Sequence, residues 1–553
     1  MIAYLKQFVN TFCKPLFSSL LGKERRVGKI LILANILLVF FLILLSNVGV
    51  LPVKNVGDFT FFTVLFLGLA LYRPGWSFLF FVGTIALENI NLAPAEIGIM
   101  VRPYQFFAAL TIIAIIIRLL VKRLNFKIPK FTWPDFMLLI FATAGFVSTL
   151  GAANKEAGFK HSIIAASFVA IYFLIRMFIQ GAEDLKKIIP FFLSSSVIVV
   201  FYGIWQNIRF AQGLSNFESM PGRPNATFTE PDWLGVFLVF LLGLIYILIY
   251  QIKESRLVDD LKEIRISQLY KKMFLYIYLT LLFILLVITV SRSAWLGAAA
   301  VTFIFLISIL IDFSFGMVNW QWKKLINSIM LIIATAVVAL LYAFTFKLTN
   351  FQLFNRFQST GTGLQKITVS CANEESALKL KQVEQLEQLE QLKQFSCRHI
   401  NLEEIQTEKS AGNIVSEIYR KDPNVSIRKE IYQKSWQEIK NHPIMGIGWG
   451  SIGSILGKDE RGMGLNSSNI FLEVWLGSGV LGFASFVLVW IYIFVGSLFK
   501  MTKAVNPLQK STFLFIILSW IGITAVNLFN AGIFLGIFWL FLAVSVSTTA
   551  KKI

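Results

Sequence analysis

Residues 441–482 read NHPIMGIGWGSIGSILGKDERGMGLNSSNIFLEVWLGSGVLG. Asn441 and Pro443 stop the helix expected over Ser426–Lys440, where Ile427, Ile431 and Tyr432 share a stripe with Ser435 and Ile439. A glycine-rich turn follows. Near Ser468 the chain becomes apolar and stays so for the length of a membrane crossing. The stretch therefore closes the one long polar segment, roughly 347–466, and returns the chain to lipid.

Working outward, the 553-residue chain is 56% hydrophobic and 15% aromatic, with mean hydropathy +0.69. Apolar runs recur at roughly 30–47, 59–72, 76–92, 104–121, 134–152, 162–179, 188–206, 232–251, 273–290, 294–312 and 325–346. Three more follow the polar segment, at roughly 469–498, 511–528 and 530–548. They are apolar on every face, unlike the amphipathic helices of a soluble protein. The expected fold is all-α, a polytopic helical membrane protein of about 12–14 transmembrane helices, with one large external loop before the last three spans. The organisation expected is a basic segment 1–29, helices over 30–346, an external loop 347–467 and C-terminal helices over 468–553.

The net charge of +20 does not indicate nucleic acid, because of where it sits. Lys122, Arg123, Lys186, Lys187, Lys271, Lys272, Lys323, Lys324, Lys500 and Lys503 cluster in short connectors, as the positive-inside rule expects of cytoplasmic loops. Alternation then places both termini inside and residues 207–231 and the long loop outside. No signal-peptide cleavage site is evident, so the first span is expected to be retained.

Within the long loop, residues 379–394 read KLKQVEQLEQLEQLKQ, with Leu386, Leu389 and Leu392 three apart. That period suits neither strand nor heptad, so an exposed insertion near 375–410, helical or disordered, is expected. Of the three cysteines, Cys371 and Cys397 share this loop; they either pair in an oxidising compartment or remain free thiols.

Charged groups near the outer surface stand out next. They are Arg223, Glu230 and Asp232 before the eighth span, Arg292 at a tight turn, and Glu88 and Glu473 inside spans. Snorkelling or interhelical pairing explains any one of them. Several on one face indicate a polar site, and arginine is the side chain suited to gripping phosphate oxygens.

Some motifs resemble the O-antigen ligase and O-antigen polymerase family. Ser468-Asn469, nine residues and then Gly479-Val480-Leu481-Gly482 follow its pattern where the chain returns to the membrane. Ser291-Arg292-Ser293-Ala294-Trp295, Arg428 with Trp436, His442-Pro443 and Gly446-Ile447-Gly448 are similar too. The resemblance covers roughly residues 200–545. It implies a bacterial inner-membrane glycosyltransferase that moves glycan from an undecaprenyl-diphosphate carrier to an acceptor hydroxyl. Its partners would be a lipid-linked oligosaccharide donor, a glycan or lipid acceptor and membrane lipids, with no metal or other cofactor. Arg223, Arg292 and Arg428 would bind the diphosphate, and His442, Glu230, Asp232, Ser468 and Asn469 are the catalytic candidates. Where the family's ligases carry histidine this chain has Ser468, too weak an acid to serve as a base near neutral pH, so Ser468 and Asn469 also read as helix caps. That departure suits a polymerase or a diverged transferase better than a strict ligase. His161 is a weaker candidate, and His399 falls in the expected insertion. The alternative reading is a transporter of an inorganic anion such as bicarbonate.

Overall fold

The computed structural model describes residues 25–123, 128–254, 262–311, 320–351, 364–381, 386, 389–400, 404–421, 423–457 and 464–550. Cys13 and the basic segment before residue 25 lie outside the described residues. So do positions 382–385 and 387–388 of the leucine repeat and parts of the basic connectors.

Among the described residues, eleven α-helices precede the polar segment: α1 (Arg25–Asn47), α2 (Val56–Tyr72), α3 (Pro74–Thr84), α4 (Pro103–Leu120), α5 (Trp133–Thr149), α6 (Lys155–Phe178), α7 (Ala182–Ala211), α8 (Pro231–Glu254), α9 (Lys262–Ile288), α10 (Arg292–Ile311) and α11 (Trp322–Thr345). The polar segment forms β1 (Leu364–Cys371), α12 (Glu374–Lys381), β2 (Cys397–His399), α13 (Ile405–Ser410), β3 (Ile414–Lys421), α14 (Pro423–Asn441) and α15 (Ile452–Leu456). Three helices close the chain: α16 (Ile470–Lys503), α17 (Pro507–Asn527) and α18 (Gly536–Ala550). Among the described residues, ten helices are long and apolar enough to cross a membrane, and α2, α5 and α18 are shorter apolar helices. The protein is an all-α polytopic membrane protein, as its hydropathy requires.

The third apolar run departs from expectation. Its helix α3 spans 11 residues, about 16 Å of rise, which is too short to cross alone. The chain continues irregularly to Arg102, with Ile85, Leu87 and Ile90 still buried. Glu88 anchors this segment, accepting from the Gly536 N–H (2.6 Å) and the Tyr104 hydroxyl (3.0 Å) and pairing with Arg102 (3.2 Å). Such a buried carboxylate is tolerable because it is paired and bonded. Near the opposite face Asp135 is held in the same manner by Arg176 and by the Tyr172 hydroxyl.

The returning helix α16 is not continuous either. Gly479 has φ 65° and breaks it after Ser478. The glycine-rich turn lies against the break: Ile447 and Gly448 donate to the Leu476 carbonyl (2.8 and 3.2 Å), and Val480 donates to Ile444 (3.1 Å). Backbone groups freed within a membrane must find such partners. Contact is close on both sides, since a Cβ on Gly479 would lie 2.1 Å from the Ile444 oxygen and one on Gly446 2.4 Å from the Leu476 oxygen. Trp449 fills the space between Gly145 of α5 and Gly477 of α16 and is fully buried.

The leucine repeat is not an exposed insertion. Leu386 and Leu392 are buried with Ile367, Val369, Leu380 and Ile418 under a three-stranded antiparallel sheet of order β2-β1-β3. Leu392 lies in a 3-10 helix over Leu389–Phe395, and Leu386 is held against β3 by its N–H to the Tyr419 carbonyl (3.0 Å), so tertiary packing rather than repeat period brings them inward. Cys371 and Cys397 face each other across β1 and β2 and form a disulfide.

Candidate functional site

The N-termini of α8 and α10 lie side by side because Gly235 permits it; a Cβ there would sit 2.6 Å from the Ala294 methyl. The loop between α7 and α8 folds over them. Arg223, buried in that loop, donates through Nε to the Thr289 carbonyl (3.1 Å) and pairs through Nη2 with Asp232 (3.3 Å). Asp232 also accepts from the Ser291 hydroxyl. Ser291 lies 3.2 Å from Ser293, and Asn530, in the turn between α17 and α18, donates to Ser293 (3.0 Å). A continuous polar floor thus joins four elements.

Over this floor lies α14. Of its expected stripe, Ile431, Ser435 and Ile439 are buried, whereas Ile427 is exposed and Tyr432 lines the cavity instead. Its other face carries Arg428, Tyr432 and Trp436 at four-residue intervals, all of which line one cavity. The Tyr432 hydroxyl lies 3.2 Å from both the Ser468 and Leu528 carbonyls, tying α14 to the start of α16 and the end of α17. Burial pushes that hydroxyl up from the ordinary phenol range, opposed by the charge of Arg428, so it donates at neutral pH. Arg428 sits over the Phe529 ring at 5.8 Å.

The cavity so enclosed has a volume of about 640 Å³ and is lined by Arg223, Arg292, Arg428 and Lys429, with Asp232 as the one carboxylate among the described lining residues. Arg292 is the first residue of α10, a 20-residue helix whose positive dipole end meets the cavity. Four cations against one carboxylate, beside a helix N-terminus, make a site for an anion with several oxygens.

The remaining sequence candidates fall elsewhere. Asn469 caps α16, its side chain accepting from the Phe471 and Leu472 N–H groups (2.9 and 3.2 Å), and its amide donates to Leu528 (3.1 Å). Ser468 adjoins the cavity through its backbone, with φ 50°. Glu473 is buried, holding the Ser467 N–H and hydroxyl (2.8 and 2.7 Å), so it fixes the turn. Glu230 lies two residues before Asp232 and does not line the cavity. His442 is exposed just beyond the end of α14 and does not line the cavity, six residues or roughly 9 Å of helix rise past Trp436, which does. His161 bonds the Ala157 carbonyl (2.9 Å). Among the described residues no group of three or more His, Cys, Asp or Glu could hold a metal ion. Sequence reasoning missed Lys429, Gln433 and Phe529. Phe529 gave no signal, being one apolar residue in a turn between two apolar helices.

Fold and cavity together define a polytopic helical membrane protein with a cationic pocket where a polar segment folds back over helix N-termini. Residues 277–487 match the family model described as O-antigen ligase. No curated protein matches the chain. Arg292, Arg428, His442, Ser468 and Asn469 fall inside the matched stretch, whereas Arg223, Glu230 and Asp232 precede it. The match lends no support to an anion transporter.

Proposed function

We propose that the protein is an inner-membrane glycosyltransferase that moves glycan from an undecaprenyl-diphosphate carrier to an acceptor hydroxyl, with the polar segment on the outer side and both termini in the cytoplasm. The observation that carries the reading is the convergence of Arg223, Arg292 and Arg428 on one cavity of about 640 Å³. In the reaction the acceptor oxygen attacks the anomeric carbon, the bond from that carbon to the diphosphate breaks, and the carrier diphosphate leaves with the electron pair. The arginines and the α10 N-terminus oppose the charge that grows on the leaving group, and they do so most at the transition state. The acceptor proton passes to a base, and Asp232 is the carboxylate positioned to take it. Arg223 holds Asp232 in place while contributing charge, so these two act as a unit.

The absence of a histidine at Ser468 favours a polymerase or diverged transferase over a strict ligase. Arg292→Ala at unchanged protein level is expected to lower transfer by about 10²–10³-fold, the loss typical of removing one transition-state donor. The readout is the polysaccharide ladder together with the lipid-linked pool, which should shift to unpolymerised or unligated glycan. An unchanged ladder and pool would remove Arg292 from the site.

A further inference from the structure

Behind the loop that carries Arg223 lies a second cavity, of about 330 Å³, which the transfer step does not use. Its walls come from the end of α1 (Asn47), the irregular segment after α3 (Asn89), α7 (Tyr202) and the α7–α8 loop (Phe217, Ser219). The volume falls within the roughly 300–1,000 Å³ of small-ligand pockets. Its chemistry is the reverse of the first cavity's. Among its described lining residues there is no cation and one carboxylate, Glu218, which is occupied by Asn207 (3.1 Å), Asn216 (3.4 Å) and the Gly222 N–H (2.8 Å). The Ser219 hydroxyl is buried there without a hydrogen-bond partner.

Beside these neutral polar groups stands a flat aromatic surface. Phe217 lines the cavity and lies nearly parallel to Trp205 (12°, centroids 6.2 Å apart), which stands behind it with the Arg209 guanidinium 4.9 Å from its ring centroid; the two remain 44% and 40% exposed. Tyr202 stacks on Trp205 in turn at 5.8 Å. The half-exposed Phe217 ring, backed by Trp205, offers apolar surface to the C–H side of a pyranose, while amide and hydroxyl groups match its hydroxyls. The Arg209 guanidinium nearby is engaged over the Trp205 ring and with the Ser215 carbonyl.

We propose that this cavity binds a neutral saccharide unit, holding a glycan chain by a residue remote from the one that reacts. Two sources share that chemistry, the glycan on the lipid carrier and the acceptor glycan. That the bound saccharide belongs to either rests on the transferase reading above; the binding itself does not.

The test uses the full chain in lipid nanodiscs and saturation-transfer NMR, with two probes from the producing cell. One is glycan released by mild acid from the lipid-linked pool; the other is acceptor glycan stripped of lipid. Wild-type protein should saturate at least one probe, and which one identifies the source. Trp205→Leu and Phe217→Ala should each weaken that binding at least fivefold, Trp205→Phe should preserve most of it, and Arg292→Ala should leave it unchanged. Asn89→Ala, at an exposed position, should weaken it too and serves if a ring variant fails to fold. If neither probe binds, or if the ring variants bind as wild type does, the cavity is no saccharide site and the aromatics only mark the membrane interface. Binding requires no turnover, so lost transfer with retained binding separates failure of the transferase reading from failure of this one.

Discussion

Two regions of the polar segment between α11 and α16 differ in what holds them together. Residues 364–421 have a core of their own, with Ile367, Val369, Leu380, Leu386, Leu392 and Ile418 buried beside a disulfide. Residues 423–457 have none: Ile431, Ile439, Ile447, Trp449 and Ile452 belong to the same buried cluster as the membrane helices. The first is a module attached to the protein. The second is a part of the membrane domain that happens to be polar in composition, and it carries Arg428 and Tyr432. Proximity in sequence therefore says little about coupling to the site; sharing a core decides it.

The largest effect expected from breaking this contrast comes from Gly479→Ala. Its Cβ would meet the Ile444 carbonyl at 2.1 Å in a left-handed backbone, so the turn and α16 cannot both keep their places. Little folded protein should survive detergent extraction and size-exclusion chromatography. In the module, Gly412→Ala has a positive φ as well but open space around it, and should cost about 1 kcal/mol with no loss of yield.

Next is Cys371→Ser. Opening a bridge between positions 26 residues apart should destabilise the module by about 3 kcal/mol, read by proteolysis of residues 364–421. Glycan transfer should persist, because the cationic cavity uses no residue of that module. Equal loss of transfer would show that the two regions are one unit. Tyr432→Phe, by contrast, removes a single donor that links α14 to Ser468 and Leu528. It should lower thermal stability by about 1 kcal/mol and reduce transfer more than Cys371→Ser does.

The smallest effect is one of pH. Hydrogen bonds from Ser370, then Asn413 and Arg398, hold the Glu408 carboxyl below the usual carboxylate range. Its contribution to the module is therefore complete above the unfolded value of roughly 4.3 and is lost as pH falls through the lower folded value. Module unfolding followed between pH 6 and 3 should show this dependence in wild type and lose it in Glu408→Gln, with the membrane domain's stability unmoved.

Much of the fold was legible because lipid imposes length and apolarity on every crossing. Basic residues expected in connectors fall in last turns: Arg118 closes α4, Arg176 closes α6, and Lys500 and Lys503 close α16. The break at Gly479 was not legible, since the flanking residues are as apolar as any span. Of the site, Arg223, Asp232, Arg292 and Arg428 could be named because charge near a membrane surface is conspicuous. Phe529 and the aromatic surface at Trp205 could not, because an aromatic residue among 54 phenylalanines and 13 tryptophans carries no distinguishing signal.

By itself, then, the sequence determined that the chain crosses a membrane many times and which polar side chains had to be accounted for. These are properties of single segments, governed by the transfer of each segment between water and hydrocarbon. The tertiary structure alone decided that three arginines from separate elements share one cavity, that His442 does not line it, and that Leu386 and Leu392 are core. Each of those depends on which segments meet, through close approaches such as Gly235 against Ala294 and Gly479 against Ile444. Residues 441–482 belong to both accounts: their composition marks the return to the membrane, and their glycines let the turn lie against the break in α16 that it completes.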